Sequence, residues 1–264
     1  GYQIVCHTNS TDCYHIADTF SNDIVRKDSD GSLCYDAMAW SGGRMYHLCP
    51  VKALEYAKKD CEIHNSAYMT LEQVIDVIKS AEHEGKMTVR LHTGDPSLYG
   101  AIREQMDRLD ELGIKYDICP GVSSFCGAAA ALRAEYTLPD VSQTVIITRM
   151  AGRTPVPEKE SIAALAAHNA TMVIFLSTGL LKELSAELIR GGYKPDTPAA
   201  IVYKASWVDQ KVCRCTVEDL AQTAADNGIT KTALICVGYF LGNDYSLSKL
   251  YDKNFETEFR KAEI

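Results

Sequence analysis

No apolar run in the chain approaches the roughly 18 residues that a bilayer-spanning helix requires, so no membrane span is expected. The opening residues, GYQIVCHTNS, have neither a basic segment nor an apolar core of the secretory type; the protein is expected to be cytoplasmic. No long Lys/Arg block occurs either, and the net charge is −8 with a pI of about 5.4. That balance argues against a nucleic-acid surface. It leaves room for an anionic small molecule, because a local cationic cluster can hold one inside an acidic protein. The ten cysteines include no Cys-x-x-Cys pair, so the zinc-ribbon spacing is missing and no metal site is expected. Cys213 and Cys215, two apart, fall on one face if their segment is a strand. Free buried thiols are the expected state of the set. Internal repeats and low-complexity tracts are also lacking.

What the 264 residues do contain is the composition of an ordinary globular protein, 46% hydrophobic and 23% charged. From residue 70 onward the apolar period switches regularly between helical and strand-like. MTLEQVIDVIKSAEHEG predicts a helix with Leu71, Val74, Ile75 and Ile78 on one face, Thr70 as N-cap and Gly85 as the stop. MTVRLH predicts a strand, IREQMDRLDELG a helix closed by Gly113, and IKYDIC a strand running into Pro120-Gly121. SSFCGAAAALRAE, SIAALAAHN, GLLKELSAELIRGG and VEDLAQTAADNG predict further helices. VSQTVIITRM, PAAIVYKAS, DQKVCRCTV and KTALICVGYF predict strands, and TMVIFLS is apolar enough for a strand covered on both faces. Such alternation defines an α/β fold. The pattern restarts at Pro120-Gly121, which suggests domains over 1–118 and 119–246, with a charged tail over 247–264.

Four turn clusters fall where strands are expected to end: HTGDPSLYG (92–100), CPGVSSFCGAAAA (119–131), FLSTG (175–179) and YKASW (203–207). Small residues let a ligand approach the backbone, whose N–H and C=O groups then bind it. Asp95 can accept hydrogen bonds from ribose hydroxyls or an amino group, and Ser123 and Ser124 sit where a helix leaves N–H groups free. Each cluster alone is compatible with a plain structural turn. Their recurrence at strand ends points to a shared ligand site, the usual arrangement in open α/β sheets. A fifth element, TRMAGRTPVPE (148–158), places Arg149 and Arg153 in a loop restrained by Pro155 and Pro157. Guanidinium forks match carboxylates bidentately, so the loop is either a solvated surface segment or a clamp on a carboxylate-bearing substrate. Lys204 of YKASW is a third candidate cation for that substrate.

Taken as a series, HTGDPSLYGA, PGVSSFCGAAAAL, QTVIITRMAGRTPVPE, FLSTGLLKEL and TPAAIVYKASWVDQKVCRCTVEDL resemble the tetrapyrrole methylase family, and the GRTPVPE and YKASW stretches resemble its precorrin-4 C11-methyltransferase subgroup. The resemblance covers about residues 52–242. It implies two α/β domains with S-adenosylmethionine bound in the cleft between them, a homodimer, and a tetrapyrrole (precorrin) substrate methylated at C11 during cobalamin biosynthesis. It further implies cofactor contacts at Gly94, Asp95, Leu98, Ser123, Ser124, Leu176 and Ala205. No side chain is singled out as a catalytic acid or base, because the methyl is already electrophilic and positioning carries the chemistry.

Residues 1–50 depart from that family. Its members open on a strand and a Gly-x-Gly-Pro-Gly-Asp-Pro loop, whereas the only early glycines here are Gly1, Gly31, Gly42 and Gly43. The opening strand and glycine-rich loop are thus expected to be atypical or missing. The resemblance therefore keeps two alternatives open: a methylase of another ring position, and an inactive paralogue that binds cofactor or tetrapyrrole without turnover.

Overall fold

The computed structural model describes residues 61–92 and 94–262, and within 1–60 the backbone of five strands. These five are β1 (Tyr2–Cys6), β2 (Tyr14–Ala17), β3 (Arg26–Lys27), β4 (Leu33–Cys34) and β5 (Met45–Leu48). The chain divides into two compact units. The first comprises Gly1–Gly127 with Lys204–Asp209, the second Ala128–Tyr203 with Gln210–Ile264.

In the first unit, β1 lies between β6 (Glu62–Asn65) and β7 (Met87–Leu91), parallel to both. The opening strand, expected to be atypical or missing, is present over Tyr2–Cys6 at the centre of that sheet, and the loop that follows it lies outside the described residues. β2 pairs with β5 and β3 with β4, each antiparallel. Between β6 and β7 runs α1 (Leu71–His83), begun by a complete capping box in which Thr70 and Gln73 satisfy each other's backbone N–H groups. Val74, Ile75 and Ile78 form its buried stripe and pack with Leu109 of α2 (Arg103–Glu111). Gly113, at φ 68°, stops α2, and the Ile114 N–H returns to the Leu109 carbonyl at 3.0 Å. The strand expected over IKYDIC does not form. Ile114 packs against the small core, but Tyr116 and Ile118 are exposed, and no described strand pairs with the segment.

The second unit holds a five-stranded sheet in the order β11-β10-β12-β9-β8. Its strands are β8 (Val145–Arg149), β9 (Thr171–Phe175), β10 (Pro198–Tyr203), β11 (Lys211–Thr216) and β12 (Ala233–Val237). Only β8 and β9 pair in parallel. Every residue of β9 is buried, as its continuous apolar run requires. α4 (Ile162–Ala166), α5 (Leu181–Gly191) and α6 (Leu220–Asp226) supply Ile162, Leu184, Leu188 and Leu220 to a core shared with Met172, Ile174, Ile201 and Ile235. Each fully buried aliphatic side chain of this kind contributes about 1.5–3 kcal/mol. That core fixes where the strands end, and the candidate ligand turns start at those ends.

Among the described cysteines the expectation of burial holds only in part: Cys236 is buried while Cys119 and Cys126 are exposed. Burial pushes the Cys236 thiol up to about 12, against a hydrogen bond with Tyr136 that lowers it. Cys213 and Cys215 both pack against the core from β11.

Candidate functional site

In the first unit, the turn after β7 and the turn before α3 (Ser124–Leu132) are built as one piece. Gly94 takes a left-handed φ of 64°, which its lack of a Cβ permits. Gly121 approaches so closely that a Cβ there would overlap the Gly94 carbonyl oxygen. No other residue fits that contact, which brings the two backbones side by side. Asp95 then joins them. Its Oδ2 accepts the Gly121 N–H at 2.8 Å, and its Oδ1 accepts the Ser97 N–H at 2.8 Å and the Ser97 hydroxyl. Burial raises the Asp95 carboxyl's pKa, but the three hydrogen bonds outweigh it and hold the group below the usual carboxylate value. The Leu98 N–H donates to the Asp95 carbonyl at 3.2 Å, closing the turn. Ser123 and Ser124 are both buried at the start of α3.

The segment Lys204–Asp209 of the same unit carries Ala205, which is buried, between Lys204 and Ser206, both left-handed at φ 45° and 78°. Lys204 Nζ pairs with Asp209 Oδ2 at 2.5 Å and lies 5.1 Å from the Trp207 ring centroid. Its charge is thus already partnered within the turn.

In the second unit, β8 and β9 end together, with Arg149 opposite Phe175. Arg149 does not reach out from its loop. Its Nη1 donates to the carbonyls of Met150 and Thr154, both at 3.1 Å, and its Nη2 to that of Pro155 at 2.9 Å. Arg153 is exposed, with no hydrogen bond or ion pair to any described residue. Leu176 follows β9 at φ 51°, and 72% of it is exposed. A left-handed leucine is an outlier, and an exposed one buries nothing in return.

Five left-handed non-glycine residues, Tyr99, Ala101, Leu176, Lys204 and Ser206, fall in or beside three of the four turn clusters read from the sequence. Backbone strain of this kind collects at ligand sites. Gly94, Asp95, Leu98, Ser123 and Ser124 meet in one assembly, whereas Arg149 and Arg153 separate into a loop brace and a free cation. Ser97 escaped the sequence reading, although Asp-Pro-Ser is an Asx-turn pattern that signals it. Ser177 escaped it too, and nothing local to FLSTG announces its partners. Thr93 of the first turn lies outside the described residues. No group of three or more potential metal-ligating side chains occurs among the described residues.

In the first unit the turns after β7 and before α3 pack glycine against glycine, and left-handed non-glycine residues follow β7, β9 and β10. The pattern of the tetrapyrrole (corrin/porphyrin) methylases matches residues 34–221, and the chain belongs to that family. The match starts earlier than the resemblance at about residue 52 and includes part of the divergent opening segment. A cobalt-precorrin-4 C(11)-methyltransferase of Methanocaldococcus jannaschii is 57% identical over 212 residues, covering 80% of this chain and 82% of that relative. A protein of the same name from Priestia megaterium is 48% identical over 211 residues, covering 78% and 81%. An X-ray structure described as a cobalamin biosynthetic enzyme, cobalt precorrin-4 methyltransferase, superposes with a TM-score of 0.70 at 47% identity, over 72% of this chain and 80% of its own.

Proposed function

We propose that the protein is a methyltransferase of cobalamin biosynthesis that uses S-adenosylmethionine to methylate precorrin-4 or cobalt-precorrin-4 at C11. The observation that carries this reading is the 57% identity to a relative of that name across most of both chains. The site geometry fits the cofactor. The Gly94–Gly121 contact sets two strand-end turns side by side, Asp95 is held below the usual carboxylate value, and Leu176 offers an exposed apolar side chain. In this reading Gly94, Asp95, Leu98, Ser123, Ser124, Leu176 and Ala205 hold the cofactor. When bound, it supplies a methyl group activated by the sulfonium.

The chain's own contribution is positioning and exclusion of water. Asp95 fixes the two turns of the first unit against each other, so little ordering is left to occur on binding. Arg153 meets a carboxylate of the tetrapyrrole, while Arg149 holds the loop that presents it. Lys204 serves the same substrate only after leaving Asp209. We also propose, on the family likeness, a cytoplasmic homodimer; light scattering behind a sizing column tests the dimer.

A second reading is favoured by the opening 50 residues, which contain no Gly-Pro-Gly: the protein binds cofactor and tetrapyrrole without turnover. Calorimetric titration with S-adenosylhomocysteine, run beside a methyl-transfer assay, separates the two. Binding with transfer supports the enzyme, binding alone supports the second reading, and no binding overturns both.

A further inference from the structure

Ser177 is fully buried, at 0% exposure, directly after the exposed Leu176. Its hydroxyl makes two bonds. It accepts the Met150 N–H at 2.9 Å and donates to the Phe175 carbonyl at 2.7 Å. The second bond spans Leu176 and braces the left-handed turn that holds this side chain outward. The first pins the residue that opens the loop after β8. Arg149 gathers the rest of that loop through the Met150, Thr154 and Pro155 carbonyls, and Arg153 stands at its free tip. One hydroxyl therefore fastens a strained apolar contact to a cationic loop. An alanine in its place keeps the volume but leaves the Met150 N–H without its acceptor and the Leu176 turn without its bridge.

We infer that Ser177 is a positioning residue that couples the cofactor contact, Leu176, to the substrate loop 150–157, so that both ligands depend on a side chain neither touches. This rests on the proposed function, in which Leu176 meets S-adenosylmethionine and Arg153 a tetrapyrrole carboxylate. A purely structural serine lowers thermal stability and leaves both affinities alone. A positioning serine moves both affinities, because the loop and the Leu176 turn then spend part of their time in conformations that do not bind.

The test uses Ser177→Ala and Ser177→Thr in the full chain. S-adenosylhomocysteine serves as the cofactor probe and uroporphyrin III as a stable polycarboxylate tetrapyrrole probe. Ser177→Ala is expected to weaken both by about tenfold, the order of one lost hydrogen bond, and to speed amide exchange across 150–157. Ser177→Thr, which keeps the hydroxyl, binds both as the wild type does, and Arg153→Ala loses affinity for uroporphyrin alone. If Ser177→Ala fails to fold, Ser177→Cys, with its weaker hydrogen bonds, takes its place. Wild-type affinities in the alanine variant, or a loss confined to one ligand, overturn the inference. A wild type that binds neither probe overturns the proposed function instead, and is distinguishable for that reason.

Discussion

Replacing Asp95 by alanine removes one carboxylate and three hydrogen bonds, two from Ser97 and one from the Gly121 N–H. The three are not equal. Ser97 is exposed, so water replaces the acceptor for its N–H and hydroxyl at little cost. The Gly121 N–H is part-buried and packed against Gly94, so it is left unsatisfied. An unsatisfied buried donor costs about 1–3 kcal/mol, and that energy is what holds the two turns of the first unit in register. If the cofactor binds across them, S-adenosylhomocysteine affinity should fall by about 5- to 150-fold, at 1.4 kcal/mol per factor of ten. Asp95→Asn should fall in between, because its single remaining oxygen cannot serve both Ser97 and Gly121. Ser97→Ala should lose less than either. Isothermal titration calorimetry measures all three, with circular dichroism as the fold control. An Asp95→Ala protein that folds and binds S-adenosylhomocysteine as tightly as the wild type refutes the reasoning and reduces GDPSLYG to a structural turn.

The same carboxylate predicts a pH response. Its folded pKa lies below the ordinary 3.8, so its bonds stabilise the turn fully above that value, and the contribution disappears as the pH falls through the lower folded value. Acid unfolding followed by circular dichroism should therefore begin at higher pH in Asp95→Asn than in the wild type. Arg153→Ala should weaken tetrapyrrole binding while leaving cofactor affinity within about twofold, and about 0.5 M salt should weaken wild-type tetrapyrrole binding by screening; equal affinities in an absorbance titration remove Arg153 from the substrate site. Leu184→Ala, at a side chain with no exposure in the core of the second unit, should cost about 2–5 kcal/mol in denaturant unfolding.

Much of the fold was legible because the chemistry was local. The capping box at Thr70, the glycine stop after α2 and the uninterrupted apolar run of β9 are each written within a few residues, and each is where the sequence puts it. IKYDIC misled because alternation records only that a segment is half-apolar. A strand also needs a neighbour to pair with, and no short window contains that information. The opening strand was obscured for the converse reason: β1 is defined by its parallel partners β6 and β7, 59 and 85 positions away along the chain. At the site, turn composition found the clusters but could not assign the side chains within them. Arg149 and Arg153 look alike in TRMAGRTPVPE, yet three loop carbonyls occupy one and leave the other free. Ser177 works through Met150, a residue 27 positions away, and its role exists only once β8 and β9 lie side by side.

The most direct test of the account is methyl transfer itself. The purified protein is incubated with cobalt-precorrin-4 and S-adenosylmethionine carrying an isotope-labelled methyl group, and the tetrapyrrole product is examined by mass spectrometry and carbon NMR. The account predicts a product heavier by one labelled methyl, with that label on C11. A label at another ring carbon would contradict the assigned position. An unlabelled tetrapyrrole, recovered from a protein that demonstrably binds both ligands, would contradict the enzymatic reading.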